Sequence, residues 1–481
     1  MTSATMHSPA DSQRRLVLWL LVAAYTLNFV DRTIVAAIGQ AIKDDLKITD
    51  TQLGLLGGLY FALLYTILGI PLARLAERAS RVKIISAAIF IWSGFTALCG
   101  MASSYAMLAA CRFGVGVGEA GLSPPAHSLI SDYYEPKKRA SALSIYSLGV
   151  PIGVMIGAVG GGWLAQNYSW RVAFIVLGLP GVLLALVIKF LVREPVRGAM
   201  EAEPSGPLKP YVLREDVLET GRVARAMFRN WTLFNMMMGI TLISFAGYGG
   251  GAFVQPYWSR TFGLDYAQVG LITGLIGGAS QGAGVLLGGL VSDRLARRGA
   301  TIWYGLVPAI GIALSYPLIV AIYTADSWQA AAAWMLFPGA LSYTYMGPTY
   351  GVVQNAFPPE RRATATAVLF FVLNLIALGF GPPLTGWLID HLGAFHHAYP
   401  AVEGVLPALV HLFSIDAGAF QAACPGGAGP IAGSAADRAC RAAVELATRQ
   451  GVLIAYAVGL WAALHYLLAA LGLRRGMPRT D

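Results

Sequence analysis

The feature that most constrains this chain is a succession of apolar stretches, each about the twenty residues a helix needs to cross a hydrocarbon layer of roughly 30 Å. Water is absent from such a layer, so each stretch must satisfy its backbone polar groups internally, as an α-helix does. Twelve spans meet this criterion. Six lie in the first half, over Leu16 to Gly39, Gln52 to Ala76, Ile84 to Ala102, Tyr105 to Ser131, Ala140 to Ala165 and Trp170 to Val192. Six more follow, over Trp231 to Pro256, Tyr266 to Leu290, Ile302 to Tyr323, Trp328 to Val353, Ala363 to Ile389 and Gly451 to Leu473. With 56% hydrophobic and 12% charged residues over 481 positions, the chain is far more apolar than a water-soluble core requires. The expected fold class is therefore an all-α membrane protein. The first span follows a polar tail, contains Asp31 and Arg32, and lacks a small-residue cleavage pattern, so it is expected to be retained as a helix.

The net charge of +9 has a topological explanation that needs no nucleic acid partner. Basic residues gather in alternate connections, as in Arg74/Arg78/Arg81/Lys83, Lys137/Lys138/Arg139 and Arg294/Arg297/Arg298. The opposite loops hold only Lys43, Lys47, Arg260, Arg438, Arg441 and Arg449. The positive-inside rule then places both termini in the cytoplasm, in a plasma (inner) membrane whose anionic headgroups face the basic loops. Cys99 and Cys111 sit in or beside spans as small apolar residues. Cys424 and Cys440 fall in an outer loop, residues 392–448, where an oxidising compartment allows either a disulfide or two free thiols. The apolar run near Leu406 to Ile415 in that loop is too short to cross.

The chain also repeats itself. Ile48-Thr-Asp-Thr-Gln52-Leu-Gly54 resembles Leu264-Asp-Tyr-Ala-Gln268-Val-Gly270 at an offset of 216 residues, and the same offset relates Glu77-Arg78 to Asp293-Arg294 and Arg81 to Arg297. At offsets of 223 and 224, Pro136-Lys-Lys-Arg139-Ala140 resembles Pro359-Glu-Arg-Arg362-Ala363, and Gly162-Trp163-Leu164 resembles Gly386-Trp387-Leu388. Parallel repeats predict a six-helix bundle over 1–193, a charged linker over 194–229, and a second six-helix bundle over 230–481. Such a pair suits rocking around a central site.

These residues carry a family resemblance. The turns after spans two and eight, containing Arg74, Glu77, Arg78 and Arg81 and then Asp293, Arg294 and Arg297, resemble the intracellular gate motif of the major facilitator superfamily, with Glu77 in place of the usual Asp. Leu108-x3-Arg112-x3-Gly116-x-Gly118 resembles that superfamily's fourth-helix motif. A narrower resemblance is to its Spinster-like branch. It rests on Leu27-Asn-Phe-Val-Asp31-Arg32, Tyr60-Phe-Ala-Leu-Leu-Tyr65, and the run from Arg112 through Glu119 to Pro124-Pro125. The resemblance implies two pseudo-symmetric bundles, alternating access, and gating or proton-coupling roles for Asp31, Arg32, Arg112 and Glu119. Animal members of that branch export lysophospholipids or sphingoid phosphates.

Physical chemistry singles out the same four residues. An ionisable group at membrane depth costs at least ~2.5 to 3.5 kcal/mol, so it is a functional candidate by default. Arg112 and Glu119 are seven residues apart and share a helix face. Asp31 and Arg112 lie at similar depth, about 10 to 12 Å from the outer ends of their spans, and Glu119 lies deeper. The expectation is an Asp31 to Arg112 contact, with Glu119 left to titrate between desolvation and a nearby arginine. Their counterparts in the second half are Gly247, Met335 and Ser342, so the charge is confined to one half.

Further candidates are weaker. Tyr60, Tyr65, Tyr248, Gln255, Gln281, Tyr343, Tyr345 and Asn374 are polar or amphipathic residues within spans, suited to lining a cavity for an amphipathic ligand. His127 fits a kinked helix or a proton relay. Neither a metal-ligand cluster nor a nucleophile-base pair stands out, so neither an enzyme nor a cofactor is expected. The reading is a monomeric, proton-coupled transporter of an amphipathic substrate, with export favoured. Uptake of a small organic anion is the rival transport reading, and a non-transporting membrane sensor or a lipid-modifying enzyme the rival from another class.

Overall fold

A computed structural model describes residues 11–76, 79–134, 142, 145, 146, 148–196, 213–296, 300–357, 359–402, 404–476 and 478. Among them, ten helical stretches are long and apolar enough to cross a membrane. The other two expected spans are also helical but interrupted. The fourth runs as Tyr105–Glu119 and Ser123–Tyr133. The tenth runs as Trp328–Met335, Pro338–Ser342, a 3-10 turn at Tyr343–Tyr345, and Met346–Ala356. Pro124, Pro125 and Pro338 cause the breaks, because proline offers no N–H to the preceding turn and crowds its carbonyl. Short-range bonds take over there, from Gly121 N to Gly118 O at 3.1 Å and from Leu336 N to Ala333 O at 3.4 Å. The two broken spans are counterparts in the repeat, and the 223 offset also pairs Pro125 with Pro348.

The repeat extends to backbone detail. The first span kinks at Ile38 (φ −113°, ψ 12°) and the seventh at Phe253 (φ −112°, ψ 8°). The short helices that follow, Gly39–Leu46 and Val254–Phe262, both end on a left-handed residue, Lys47 at φ 53° and Gly263 at φ 65°. Two residues later Thr49 and Asp265 accept from the Gln52 and Gln268 amides and so start the second and eighth spans. The Ile48-to-Gly54 repeat is therefore a helix stop followed by a helix start.

Contacts gather the chain into two compact units, Met1–Ile34 with Leu63–Tyr211, and Val35–Ala62 with Val212–Asp481. The ends of the first two spans thus pack with the second half. The end that carries Gly39 to Asp50 is the one that the basic residues assign to the outside, and it is called outer below. In the first unit, glycines let helices close in: a Cβ on Gly149 would lie 2.9 Å from Thr26 N, and one on Gly178 would lie 2.8 Å from Ala97 N. In the second unit a core forms around Met236, Met237, Ile240, Val352, Leu369 and Tyr466. The latter half of the expected linker is a helix, Leu213–Arg229, whose Val223 and Met227 bury into that core while Glu219 pairs with Arg361 at 2.7 Å.

Candidate functional site

The first unit buries the four charges that the sequence singles out. Arg32 donates from Nε to Glu119 Oε2 at 2.8 Å, with side-chain exposures of 20% and 0%. The guanidinium lies over two rings, 4.6 Å from the centre of Tyr65 and 5.4 Å from that of Phe29. Phe29 is one helical turn before Arg32 and shares its face, while Tyr65 comes from the second span. Aromatic faces attract a cation without competing for its hydrogen bonds, so they hold the charge where Glu119 can reach it. Glu119 is the last residue of the upper helix of the broken fourth span.

Asp31 and Arg112 are also buried. The charges of Glu119, Arg112 and Arg32 all act on Asp31, and those of Arg32 and Arg112 act on Glu119. Arg112, the residue expected to contact Asp31, is among the charges that act on it. The arginine beside Glu119 is Arg32. Depth along one helix could not show this, since Arg32 is turned about 100° from Asp31 around the first span and points at a different neighbour. Asp31 Oδ1 and Glu119 Oε1 accept no hydrogen bond among the described residues. Two carboxylates and two guanidiniums sum to zero charge, so one added proton leaves the buried cluster at +1.

The gate motif lies partly within the described residues. Glu77, Arg78 and Arg297 lie outside the described residues, as does the side chain of Arg74. Arg81 is wholly buried within the first unit. It pairs with Asp132, with Glu194 at 2.7 Å, and with Ser128 Oγ at 3.0 Å. Glu194 also accepts from Ser80 Oγ at 2.8 Å and Val82 N at 2.9 Å. Burial would raise the Glu194 carboxyl, but the Val82 amide and the Arg81 guanidinium hold it below its usual range. In the second unit, Asp293 accepts from Tyr304 Oη at 3.1 Å, and Arg294 is exposed.

The residues proposed to line a cavity separate into groups. Tyr65 belongs with Arg32. Tyr343 and Tyr345 lie 6.0 Å apart in the break of the tenth span, with Tyr248 in electrostatic reach of Tyr343. Gln255 is engaged elsewhere, accepting from Gln40 N at 3.4 Å and donating to Ser259 Oγ at 3.0 Å. Asn374 opens a π-helical turn, Asn374–Leu378, and donates back to Phe370 O at 2.9 Å. Tyr60 and Gln281 are half-buried.

The second unit holds a cluster that the sequence reading missed. Asp50 at the start of the second span accepts from Lys43 Nζ at 2.6 Å and, bidentately, from Arg260 at 2.7 and 3.1 Å. Arg260 also donates to Gln40 Oε1 at 2.8 Å and Thr448 Oγ1 at 2.5 Å. Asp390 of the eleventh span accepts from Asp50 N at 2.9 Å, Thr51 N at 2.8 Å and Thr51 Oγ1 at 2.6 Å. Lys43 lies outside the spans, and its burial lowers its pKa against the pull of Asp50. Read from sequence, Lys43 and Arg260 served only to set topology. The available signal was that Lys43, Asp44, Asp45, Lys47 and Asp50 crowd the short connection between the first two spans. The offset of 216 maps the pair Asp50 and Arg260 onto Tyr266 and Asp44, and Tyr266 Oη does donate to Asp44 Oδ2, at 3.4 Å.

Beyond this cluster, Cys424 and Cys440 form a disulfide, resolving the alternatives left by the sequence. The turn Pro425–Gly427 that follows is packed on the outer cluster. A Cβ on Gly426 (φ 70°) would lie 3.3 Å from Lys47 Cα, and one on Gly427 (φ 88°) would lie 3.6 Å from Lys43 Nζ.

Membrane-spanning helices in a duplicated arrangement, with charge buried at membrane depth, define the class as a secondary transporter rather than an enzyme. The Major Facilitator Superfamily profile matches residues 21–375 and again 237–478, and the chain belongs to that superfamily. It is similar to a crystal structure of a bacterial homolog of the human lysosomal transporter Spinster, in an inward-facing and occupied conformation. The likeness has a TM-score of 0.82 and 30% identity and covers 96% of this chain and 98% of that one. The chain is also 30% identical to an MFS-type efflux pump of Mycolicibacterium smegmatis, over 81% of this chain and 88% of the pump. It is 26% identical to a probable L-galactonate transporter of Escherichia coli, over 79% and 84% of the two chains. The chain is thus a Spinster-like member of the superfamily.

Proposed function

We propose that this transporter exports an amphipathic, lysolipid-like or drug-like substrate by alternating access, driven by protons, across a plasma membrane with both termini in the cytoplasm. The observation that carries this reading is the buried Arg32–Glu119 pair, with a second carboxyl, Asp31, and a second guanidinium, Arg112, acting on the same site. A proton arriving at this cluster releases Arg32 from one carboxylate and leaves an uncompensated buried cation. That charge favours whichever conformation hydrates it or pairs it with a substrate anion. Release of the proton on the other side restores the pair. Tyr65 and Phe29 give the cation a resting place that also suits the apolar body of an amphipathic ligand. Resemblance to the Spinster-like branch and similarity to an efflux pump both favour outward movement of such a molecule. The Asp50, Arg260, Lys43 and Asp390 cluster serves as an outer clasp that must open in each cycle.

The test is flux in proteoliposomes with and without a pH gradient, comparing wild type with Glu119→Gln. The variant keeps the shape and a hydrogen-bonding oxygen but cannot ionise, so it is expected to lose gradient-driven transport while exchange without a gradient persists. Unchanged pH dependence removes Glu119 from coupling.

Similarity to a probable L-galactonate transporter favours a second reading, uptake of a small organic anion on Arg32 or Arg112. A panel setting lysolipids against sugar acids separates the two, since only one class should drive counterflow.

A further inference from the structure

The outer loop carries an apolar face that points away from the protein. Leu406, Val410 and Phe413 are 74%, 80% and 88% exposed, among the highest values of any large apolar side chains among the described residues. Spaced by four and three, they form one face of the short helix Val405–Val410 and the turn after it. The opposite face, Ala408 and Leu412, is buried. From Gly404 to Ile415 the sequence contains no Asp, Glu, Lys or Arg.

This face continues a lipid-facing surface. On the eleventh-span helix Gly379–Ala398, Phe380, Leu384, Trp387 and His391 follow one another at helical spacing, and Phe380 and Leu384 are exposed to the side of the span. Phe413 lies with its ring 5.7 Å from that of Trp387, and Trp387 lies 4.3 Å from His391. A tryptophan at the end of such a stripe marks the boundary between acyl chains and headgroups. Phe413 thus extends the stripe sideways at the height of that boundary.

The segment is also fixed at this height. His411 stacks on Phe395 at 5.9 Å, the Cys424–Cys440 bridge closes the loop beyond it, and Gln421 donates to Asp390 at 3.3 Å. A hinged flap would carry the same residues without a set depth.

We infer that the segment from Val405 to Phe413 is an interfacial element whose Leu406, Val410 and Phe413 face inserts into the outer leaflet, with phospholipid acyl chains as its partner. Apolar area turned toward lipid in this way binds by burial at the headgroup boundary. The inference depends on the membrane topology and not on the identity of the cargo.

The test uses the full-length protein in phosphatidylcholine vesicles. Single cysteines at Leu406, Val410 and Phe413, each labelled with an environment-sensitive fluorophore, are compared with a cysteine at exposed Arg438. Cys99 and Cys111 are buried and Cys424 and Cys440 are bridged, so the label reports the introduced thiol. The first three probes should emit at shorter wavelength, lose most of their signal to a nitroxide on the upper acyl chain of the lipid, and resist aqueous iodide. The Arg438 probe should do the reverse. Iodide quenching at all four sites would overturn the inference by placing the face in water. Resistance to both quenchers would overturn it as well, by assigning the face to a second copy of the protein.

Discussion

Replacing Asp50 with Asn strikes the outer clasp at the one group on which both of its cations converge. Asp50 takes Lys43 at 2.6 Å and two bonds from Arg260 at 2.7 and 3.1 Å, and none of the three side chains is more than 8% exposed. With Asp390, the wild-type cluster is neutral; with Asn at 50 it carries +1 in a low-dielectric site. Removing one member of such a buried pair costs about 3 to 5 kcal/mol, mostly from the charge left behind. Lys43 can relieve its share by losing a proton, because burial already lowers its pKa. Arg260 cannot, since guanidinium does not deprotonate in proteins. The penalty therefore concentrates on Arg260, and Arg260→Met added to Asp50→Asn should recover much of it. At about 1.4 kcal/mol per factor of ten, a conformation that requires the clasp would fall by roughly two to three and a half powers of ten relative to one that does not. The assay is a double-mutant cycle on the thermal midpoint in detergent, over wild type, both single variants and the pair. The expected result is a clear drop in each single variant and a smaller loss in the double than the sum of the two. Strict additivity, or no change in Asp50→Asn, would refute the account. At alkaline pH the deficit of Asp50→Asn should narrow as Lys43 discharges.

Other consequences follow from single contacts. Gly54→Ala would place a Cβ 2.6 Å from Pro382 C and 2.8 Å from Pro383 Cα, backbone atoms that cannot step aside, so the thermal midpoint should fall by an amount corresponding to at least ~1 to 3 kcal/mol. Gly69→Ala, on the same span with nothing within 4 Å, should be neutral or slightly stabilising. Glu194 titrates below its ordinary 4.5 despite its burial, chiefly because of the Val82 amide and Arg81, so the folded state binds its proton less readily than the unfolded chain. Its stabilising contribution is then full above the unfolded value and is lost as pH falls through the folded one. Midpoints measured on descending from neutral pH to below 4.5 should drop more steeply in wild type than in Glu194→Gln.

What the sequence made legible, it did so for physical reasons. Spans are written in composition because a bilayer demands length and apolarity with little regard to what surrounds each helix, and duplication is written in offsets. The breaks in the fourth and tenth spans were harder to place. Their prolines are visible, but whether a proline kinks a helix or ends one depends on which neighbours accept the freed carbonyls. The last span begins at Ala435 rather than near Gly451 because an alanine-rich run such as Ala442 to Ala447 is a good helix former whether or not lipid surrounds it. Asp31, Arg32, Arg112 and Glu119 could be selected by the cost of burying charge, yet their pairing depended on how one helix is rotated against another, which sequence spacing does not encode. The outer cluster escaped because basic residues in loops read as topology signals, and only the packing of the Val35–Ala62 segment with the second half buries them.

That same packing makes the duplication informative about strength. Under the offset of 216 the contact between Asp50 and Arg260 has a twin between Tyr266 and Asp44, and both exist. They share a place in the fold but not a chemistry. One is a bidentate guanidinium-carboxylate pair, buried and braced by Lys43. The other is a single long bond of 3.4 Å to a carboxylate that also takes Gln40 at 2.7 Å and is exposed to solvent. Water can replace most of the second contact, so its loss should cost a fraction of a kcal/mol to about 1. Asp44→Asn is thus the internal control for Asp50→Asn, a carboxylate lost from the symmetry-related contact. If the two substitutions lower the midpoint equally, buried charge is not what holds the outer ends of the first two spans, and the clasp would have to be sought in apolar packing such as that of Gly54 on Pro382 and Pro383.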